Sequence, residues 1–183
     1  MQNKWKEIAV SALALCVIAG VATAALAGTN ALTANTIAEQ NAAIENAARK
    51  QVIDADTFEE KTLTADGKEV VYYEALKGGA AVGYVFTATT SGKSSGLVIM
   101  TGIGTDGTIT GVKVTADNET AGYVDKVTKD GLLDRFAGKT AEKFQLGSNI
   151  DGVSQATKTS KGVTDGVNKA VAYYQSIRGG TAQ

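Results

Sequence analysis

The sequence predicts an α+β protein: one N-terminal transmembrane helix and a stalk helix, followed by an antiparallel sheet with a C-terminal helix. Three observations carry that expectation. The first is an uninterrupted run of 20 residues without a charge, Ile8 to Ala27. The second is a middle stretch in which short β-rich runs alternate with Gly-containing turns. The third is an apolar stripe at Val163, Val167, Ala170, Val171, Tyr174 and Ile177, which follows the i, i+4, i+7, i+8 spacing of a buried helix face.

Composition narrows the chemistry. A chain of 183 residues makes one domain plus whatever anchors it. With 18 basic and 19 acidic residues the net charge is -1, so the basic surface that nucleic-acid binding needs is missing. There are no histidines and one cysteine, which removes His-based acid–base catalysis, Cys/His metal sites, iron–sulfur ligation and intrachain disulfides. No catalytic and no metal-ligating residue is assigned on this basis, and redox chemistry requires an organic cofactor. Proline is absent and glycine occurs 21 times, so turns must be built from Asp-Gly, Gly-Gly and Ser-Gly pairs.

The apolar run reaches roughly 30 Å as a helix, the thickness of a bilayer's hydrocarbon core. Lys4 and Lys6 precede it and favour a cytoplasmic amino terminus in a single-pass membrane protein. The expected organisation is residues 1–7 in the cytoplasm, 8–28 across the membrane lipid, 29–55 as stalk helix and connection, and 56–183 as an extracytoplasmic domain. A cleaved signal peptide is the competing reading, because Ala25-Leu26-Ala27 resembles a small-x-small site, although the run exceeds the usual apolar length. Leu15 before Cys16 is not the small residue a lipoprotein signal wants. Ala12, Cys16, Gly20, Ala24 and Gly28 fall four residues apart and would let another helix approach closely.

Beyond the membrane, Thr36-Ile37-Ala38-Glu39 has the form of a capping box, and Ile37, Ile44, Ala48 and Val52 keep an approximate helical register. Four strands are expected next. Val70 to Tyr73 follows the Ala65-Asp66-Gly67 turn, and Val82 to Thr87 follows Gly78-Gly79. Leu97 to Ile103 follows the Ser91–Gly96 loop, and Ile109 to Val114 follows Thr105-Asp106-Gly107-Thr108. Short connections imply an antiparallel meander, with Tyr84, Phe86, Val98 and Met100 in or near the core. Gly92-Lys93-Ser94-Ser95-Gly96 lacks the spacing of a phosphate-binding Walker loop and reads as a hairpin connection.

From Thr115 the strand pattern stops. Ala116 to Tyr123 reads as a polar loop, followed by a weak helical segment around Leu132, Leu133 and Phe136. Asp151-Gly152-Val153-Ser154-Gln155-Ala156-Thr157 then sets small and hydroxyl residues before a helix that begins near Thr157. Its first turn offers unpaired N–H groups and the positive end of the helix dipole to a phosphate. Pattern alone favours the plainer reading of a Ser/Thr-rich helix cap.

Together these residues resemble the flavin-carrying G subunit of Rnf-type ion-translocating ferredoxin:NAD oxidoreductase complexes, and the related C subunit of sodium-pumping NADH:quinone reductase. The resemblance rests on the single anchor, Asp106-Gly107-Thr108-Ile109-Thr110-Gly111-Val112, the Glu119-Thr120-Ala121-Gly122 loop and a C-terminal motif. That motif is Asp-Gly-x-Ser/Thr-Gly-Ala-Thr in the family, with FMN joined through its phosphate to the last Thr. It corresponds here to Asp151, Gly152, Ser154, Ala156 and Thr157. The resemblance implies an FMN-binding domain, Thr157 as phosphoester acceptor, and Asp151 and Ser154 shaping the turn. Glu119, Thr120, Gly122 and Tyr123 would border the isoalloxazine ring, with Tyr123 packing on its face. Lys158 and Lys161 would assist the phosphate, and Thr159 is the nearest alternative acceptor. Gln155 replaces the usual Gly, and Ala121 a common Pro.

The function implied is a membrane-anchored electron-transfer subunit within an ion-translocating redox complex, with no complete activity of its own. It would need a flavin transferase for maturation and partner subunits holding iron–sulfur centres and a second flavin. A covalent tether keeps a cofactor outside the cytoplasm at high effective concentration. The alternatives are a free-standing extracytoplasmic flavoprotein reductase and an anchored, pilin-like surface protein without cofactor.

Overall fold

The computed structural model describes residues 2–65 and 67–179, with the side chains of 2–7, 11 and 31–41 left undescribed. Two compact units divide the chain, one ending at Glu45 and the other beginning at Asn46. In the first, helix α1 spans Gln2–Val52 as an element, and its segment Ile8–Asn30 has a mean hydropathy of 2.4 with none of it buried against protein. At 23 residues it has the length and composition of a candidate membrane span. The hydroxyls of Thr23 and Thr29 donate to the carbonyls of Ala19 and Ala25 at 2.8 and 2.9 Å, so neither polar group is left unpaired on an apolar surface. A separate helix starting at Thr36 is not observed: the backbone stays helical through this point, because no Pro interrupts it and no Gly follows Gly28 before Val52. The capping-box side chains of Thr36 and Glu39, the Ile37 side chain, and the Lys4 and Lys6 side chains lie outside the described residues.

The second unit holds five strands, β1 (Thr57–Ala65), β2 (Lys68–Lys77), β3 (Ala80–Ser91), β4 (Ser95–Gly104) and β5 (Ile109–Ala116), paired antiparallel in sequence order. The four strands expected from the sequence correspond to β2–β5, and β1 is an addition to them. Its sequence, TFEEKTLTA, buries only Leu63 fully, because β1 is the edge strand. Its edge carries Glu59, Glu60 and Lys61, a charged rim that discourages pairing with other chains. Lys61 reaches Glu59 at 3.1 Å and Glu74 at 3.8 Å.

Sheet alternation sends neighbouring apolar residues to opposite faces. Phe86, Leu97, Ile99 and Ile103 enter the larger core, whereas Val85, Ala75 and Met100 pack with Ala48 and Val52 from the last turns of α1 and with Ile53 just after it. Tyr84 and Val98 are half-buried. On the second face the Arg49 guanidinium lies 3.5 Å from the Tyr73 ring centroid, and Thr110 donates its hydroxyl proton to the Val52 carbonyl.

The larger core lies under helix α3 (Thr157–Arg178), which buries Val163, Val167, Ala170, Val171 and Tyr174 as the stripe predicts, with Ile177 half-buried. The helix comes unusually close to β4. A Cβ at Gly166 would stand 2.7 Å from Ile99 Cβ, so only glycine permits this approach. Between β5 and α3 run helix α2 (Tyr123–Lys129), a 3-10 turn at Asp134–Phe136 and a long irregular segment. Ile109 and Gly138–Lys139 exchange backbone hydrogen bonds at 2.8 and 2.9 Å, which covers part of the β5 edge. Asn168 binds Phe144 through both amide groups, its Oδ1 accepting from the N–H at 2.8 Å and its Nδ2 donating to the carbonyl at 2.9 Å. The segment leading to Asp151 is thereby held against α3.

Candidate functional site

The first turn of α3 begins at Thr157 after an Ala156 N-cap that makes no side-chain capping bond. The first intrahelical bond runs from the Ser160 N–H to the Ala156 carbonyl at 2.8 Å. The preceding N–H groups therefore face outward, at the positive end of the helix dipole, and no acidic residue occupies the first turn. Polar groups that would cap the helix are used elsewhere. Ser160 is fully buried and its Oγ accepts from the Val153 N–H at 3.0 Å. Thr159 is also fully buried and donates to Glu119 Oε2 at 3.1 Å. Thr157 is exposed, as is Lys158.

The turn before α3 is held through its main-chain groups by the side chains of Arg135 and Ser160. The Asp151 carbonyl accepts from Arg135 Nη1 at 2.8 Å, while Arg135 Nη2 binds the Asp130 carboxylate at 2.8 Å. Gly152 packs beside Leu146 and Ser160, and Ser154 is exposed. Gln155 is the single non-glycine residue with positive φ among the described residues, at 64°. Left-handed backbone costs a residue with a Cβ about 1–2 kcal/mol relative to glycine. The strain is offset in part by a hydrogen bond from Lys126 Nζ to Gln155 Oε1 at 2.7 Å, which ties the turn to α2.

Thr157 lines a groove of about 300 Å³ together with Lys93, Tyr123, Gln155, Ala156, Lys158 and Thr159. Three parts of the chain meet there: the hairpin loop between β3 and β4, the start of α2 and the start of α3. Glu119 joins them from behind. Its Oε1 accepts from the Ser94 N–H at 3.0 Å, and its Oε2 accepts from the Lys93 N–H at 3.2 Å as well as from Thr159. The Lys93 ammonium sits 4.3 Å from the Tyr123 ring centroid and donates to the Tyr123 hydroxyl at 3.2 Å.

Of the residues singled out from the sequence, Tyr123, Gln155, Ala156, Thr157, Lys158 and Thr159 line this groove. Glu119 braces it. Thr120 contributes its carbonyl to the Tyr123 N–H at 3.2 Å. Gly122, with φ 88, caps α2 and faces a separate shallow depression with Asp125, Lys126, Lys129 and Asp130. Lys161 does not line the groove; it lines a separate depression and pairs with Asp165 at 2.5 Å. Thr159, considered as an alternative acceptor, has its hydroxyl buried and engaged. Sequence reasoning passes over Lys93, Lys126 and Arg135. Lys93 stands in what is indeed a hairpin connection, and no local signal marks a residue 64 positions before Thr157 as its neighbour.

Both the helix and the domain that carries the groove are similar to known families. A family model described as the FMN-binding domain matches residues 92–172, a range containing every residue that lines the groove. A second, described as the RnfG N-terminal region, matches residues 1–52. The chain is 37% identical to the G subunit of the Na(+)-translocating ferredoxin:NAD(+) oxidoreductase complex of Acetobacterium woodii, across 97% of this chain and 96% of that protein. It is 28% identical to the G subunit of the proton-translocating ferredoxin:NAD(+) oxidoreductase complex of Clostridium ljungdahlii, across 98% and 96%. It is 31% identical to the G subunit of the ion-translocating oxidoreductase complex of Methanosarcina acetivorans, across 95% and 98%. With that identity sustained over nearly its whole length, the chain belongs to the family of G subunits of ion-translocating oxidoreductase complexes.

Proposed function

We propose that the chain is the membrane-anchored electron-transfer subunit of an ion-translocating ferredoxin:NAD oxidoreductase complex, and that it carries FMN as a phosphoester on Thr157. One observation carries the attachment. Of the three hydroxyls that open α3, those of Thr159 and Ser160 are buried and hydrogen-bonded, and Thr157 alone is exposed on the groove.

The residues fit the group. A phosphodiester keeps one negative charge, which the outward N–H groups of α3 favour by about 0.3–1 kcal/mol at an exposed helix end. Lys158 adds a cation beside it. Tyr123 offers a half-buried aromatic surface to a flavin ring. When bound, FMN supplies the electron storage that none of the chain's own side chains has. Thr157 is the tether, Ala156 leaves room beside it, and Glu119 fixes the groove walls. Forming the ester needs a flavin transferase and a donor whose flavin phosphate is held in a phosphoanhydride. The Thr157 oxygen gives up its proton and bonds to the flavin phosphorus as the anhydride P–O bond breaks. The donor's other phosphate half, a nucleoside monophosphate for a flavin dinucleotide, leaves.

The apolar segment of α1 anchors the chain in lipid, with Lys4 and Lys6 favouring a cytoplasmic amino terminus and residues 56–183 lying outside. Partner subunits hold the iron–sulfur centres and a second flavin, because this chain has no histidine and a single cysteine.

The test is flavin fluorescence from the denatured protein in a gel after co-expression with a flavin transferase. The parent and Thr157→Ser should fluoresce and Thr157→Ala should not. A dark parent band would sink the covalent reading, and fluorescence persisting in Thr157→Ala would move the attachment elsewhere.

A further inference from the structure

We propose that Lys93 is a flavin-contacting residue whose ammonium stabilises the negative charge of the reduced ring and so raises the potential of this subunit's flavin. The inference rests on the reading of Thr157 as the flavin carrier.

The groove has two ends of different chemistry. At one, Thr157, Lys158 and the first-turn N–H groups of α3 offer a hydroxyl, a cation and hydrogen-bond donors, which suits a phosphate. At the other, Tyr123 offers the only aromatic ring among the residues lining the groove, and Lys93 is set against it, 4.3 Å from the centroid and 3.2 Å from the hydroxyl. Lys93 therefore belongs to the ring end. Its ammonium is in no ion pair with a carboxylate among the described residues.

A lysine on a hairpin loop has no fixed direction unless its backbone is held. Here it is held. The Lys93 and Ser94 N–H groups both donate to Glu119, and the Gly92 N–H closes the loop on the Ser94 carbonyl at 2.9 Å. A Cβ at Gly92 would collide with the Glu119 carboxylate and stand 3.1 Å from Thr159 Cα, so the loop is pressed against the first turn of α3. The same bracket that seals in the Thr159 hydroxyl aims Lys93 into the groove.

Two electrons from a neighbouring redox centre of the complex, which is oxidised in turn, together with one proton leave a flavin ring with one negative charge. A fixed ammonium beside the ring favours that charge over the neutral oxidised form, and charge placed near the ring is a principal means by which a protein tunes a flavin.

The experiment uses the full-length chain, co-expressed with a flavin transferase and purified in detergent, as parent, Lys93→Met and Lys93→Arg. Gel fluorescence first reports loading, and spectroelectrochemistry then reports the midpoint potential. Lys93→Met should load like the parent and lose about tenfold or more of its preference for the reduced flavin, about 30 mV for a two-electron couple. Lys93→Arg should recover most of that loss. Equal potentials in loaded parent and Lys93→Met overturn the Lys93 assignment and leave the Thr157 attachment standing. Loading lost in Lys93→Met and restored in Lys93→Arg moves the charge contact to the phosphate and overturns the ring assignment. A parent without covalent flavin overturns the attachment and the Lys93 role together.

Discussion

The Thr159 hydroxyl donates to the Glu119 carboxylate at 3.1 Å, joining the first turn of the C-terminal helix to a loop 40 residues earlier. The family resemblance suggests Glu119 as a border of the flavin ring and leaves Thr159 open as a second acceptor. Their pairing gives both a structural task. Glu119 spends its two oxygens on Lys93, Ser94 and Thr159, and Thr159 has no free hydroxyl to offer.

Glu119→Ala should release the hairpin loop. Hydrogen bonds to a charged acceptor contribute about 1.5–3 kcal/mol each where buried; this carboxylate is only half-buried, so a total loss of about 2 kcal/mol is expected. Amide hydrogen exchange at Lys93 and Ser94 is the local readout. Protection should fall in Glu119→Ala and fall less in Glu119→Gln, which keeps one acceptor oxygen. Unchanged protection in the alanine variant would rule out the bracket.

Gln155 holds a backbone conformation that glycine adopts without strain. Gln155→Gly should stabilise the domain by about 1 kcal/mol or less, the relieved strain being partly cancelled by loss of the Lys126 contact. Gln155→Val should be worse than the parent by more than that, because a β-branched side chain fits poorly at positive φ. Thermal melts of the three proteins should rank them Gly, Gln, Val, and any other order would contradict the strain reading.

Gly166→Ala pushes a methyl group into Ile99 and should cost about 1–3 kcal/mol by overpacking. Urea unfolding measures it, and a neutral result would mean that α3 shifts away freely. Gly20 is the opposite case, with nothing within 4 Å of an added Cβ. Gly20→Ile should leave the domain's unfolding unchanged and reduce recovery of other membrane subunits severalfold in pull-downs, as expected if the small-residue line meets a neighbouring helix. Full recovery would remove that line from the interface.

Asp106 accepts the Thr108 N–H and the Thr108 hydroxyl, both at 2.9 Å, and the backbone bond is the main reason its pKa lies below the ordinary 3.8. A carboxylate with a depressed folded pKa adds stability that is complete above its unfolded value and is lost as pH falls through the folded one. Stability should therefore decline with acid below about pH 4, and Asp106→Asn should make that acid limb shallower. Denaturation midpoints across this range are the measurement, with parallel limbs in the two proteins counting against any Asp106 contribution.

What the sequence by itself determined are the features set by local periodicity and composition: the apolar segment of α1, the buried stripe of α3, strands β2 to β5, and the absence of histidine. Each is a pattern within a few turns or one strand, where side-chain direction follows directly from backbone geometry. Position in the motif also singles out Thr157, through resemblance. The tertiary structure decided the rest. β1 escapes a reading of the sequence because an edge strand with one fully buried residue has no apolar alternation to show. Lys93 became part of the groove, Lys161 left it, and Thr159 was closed off, all through contacts between segments far apart in the chain. Gln155 looks like a departure from a motif and proves to be a left-handed residue held by Lys126. Such facts have no local signature, because they depend on which distant loop the packing of α3 against β4 brings to the start of that helix.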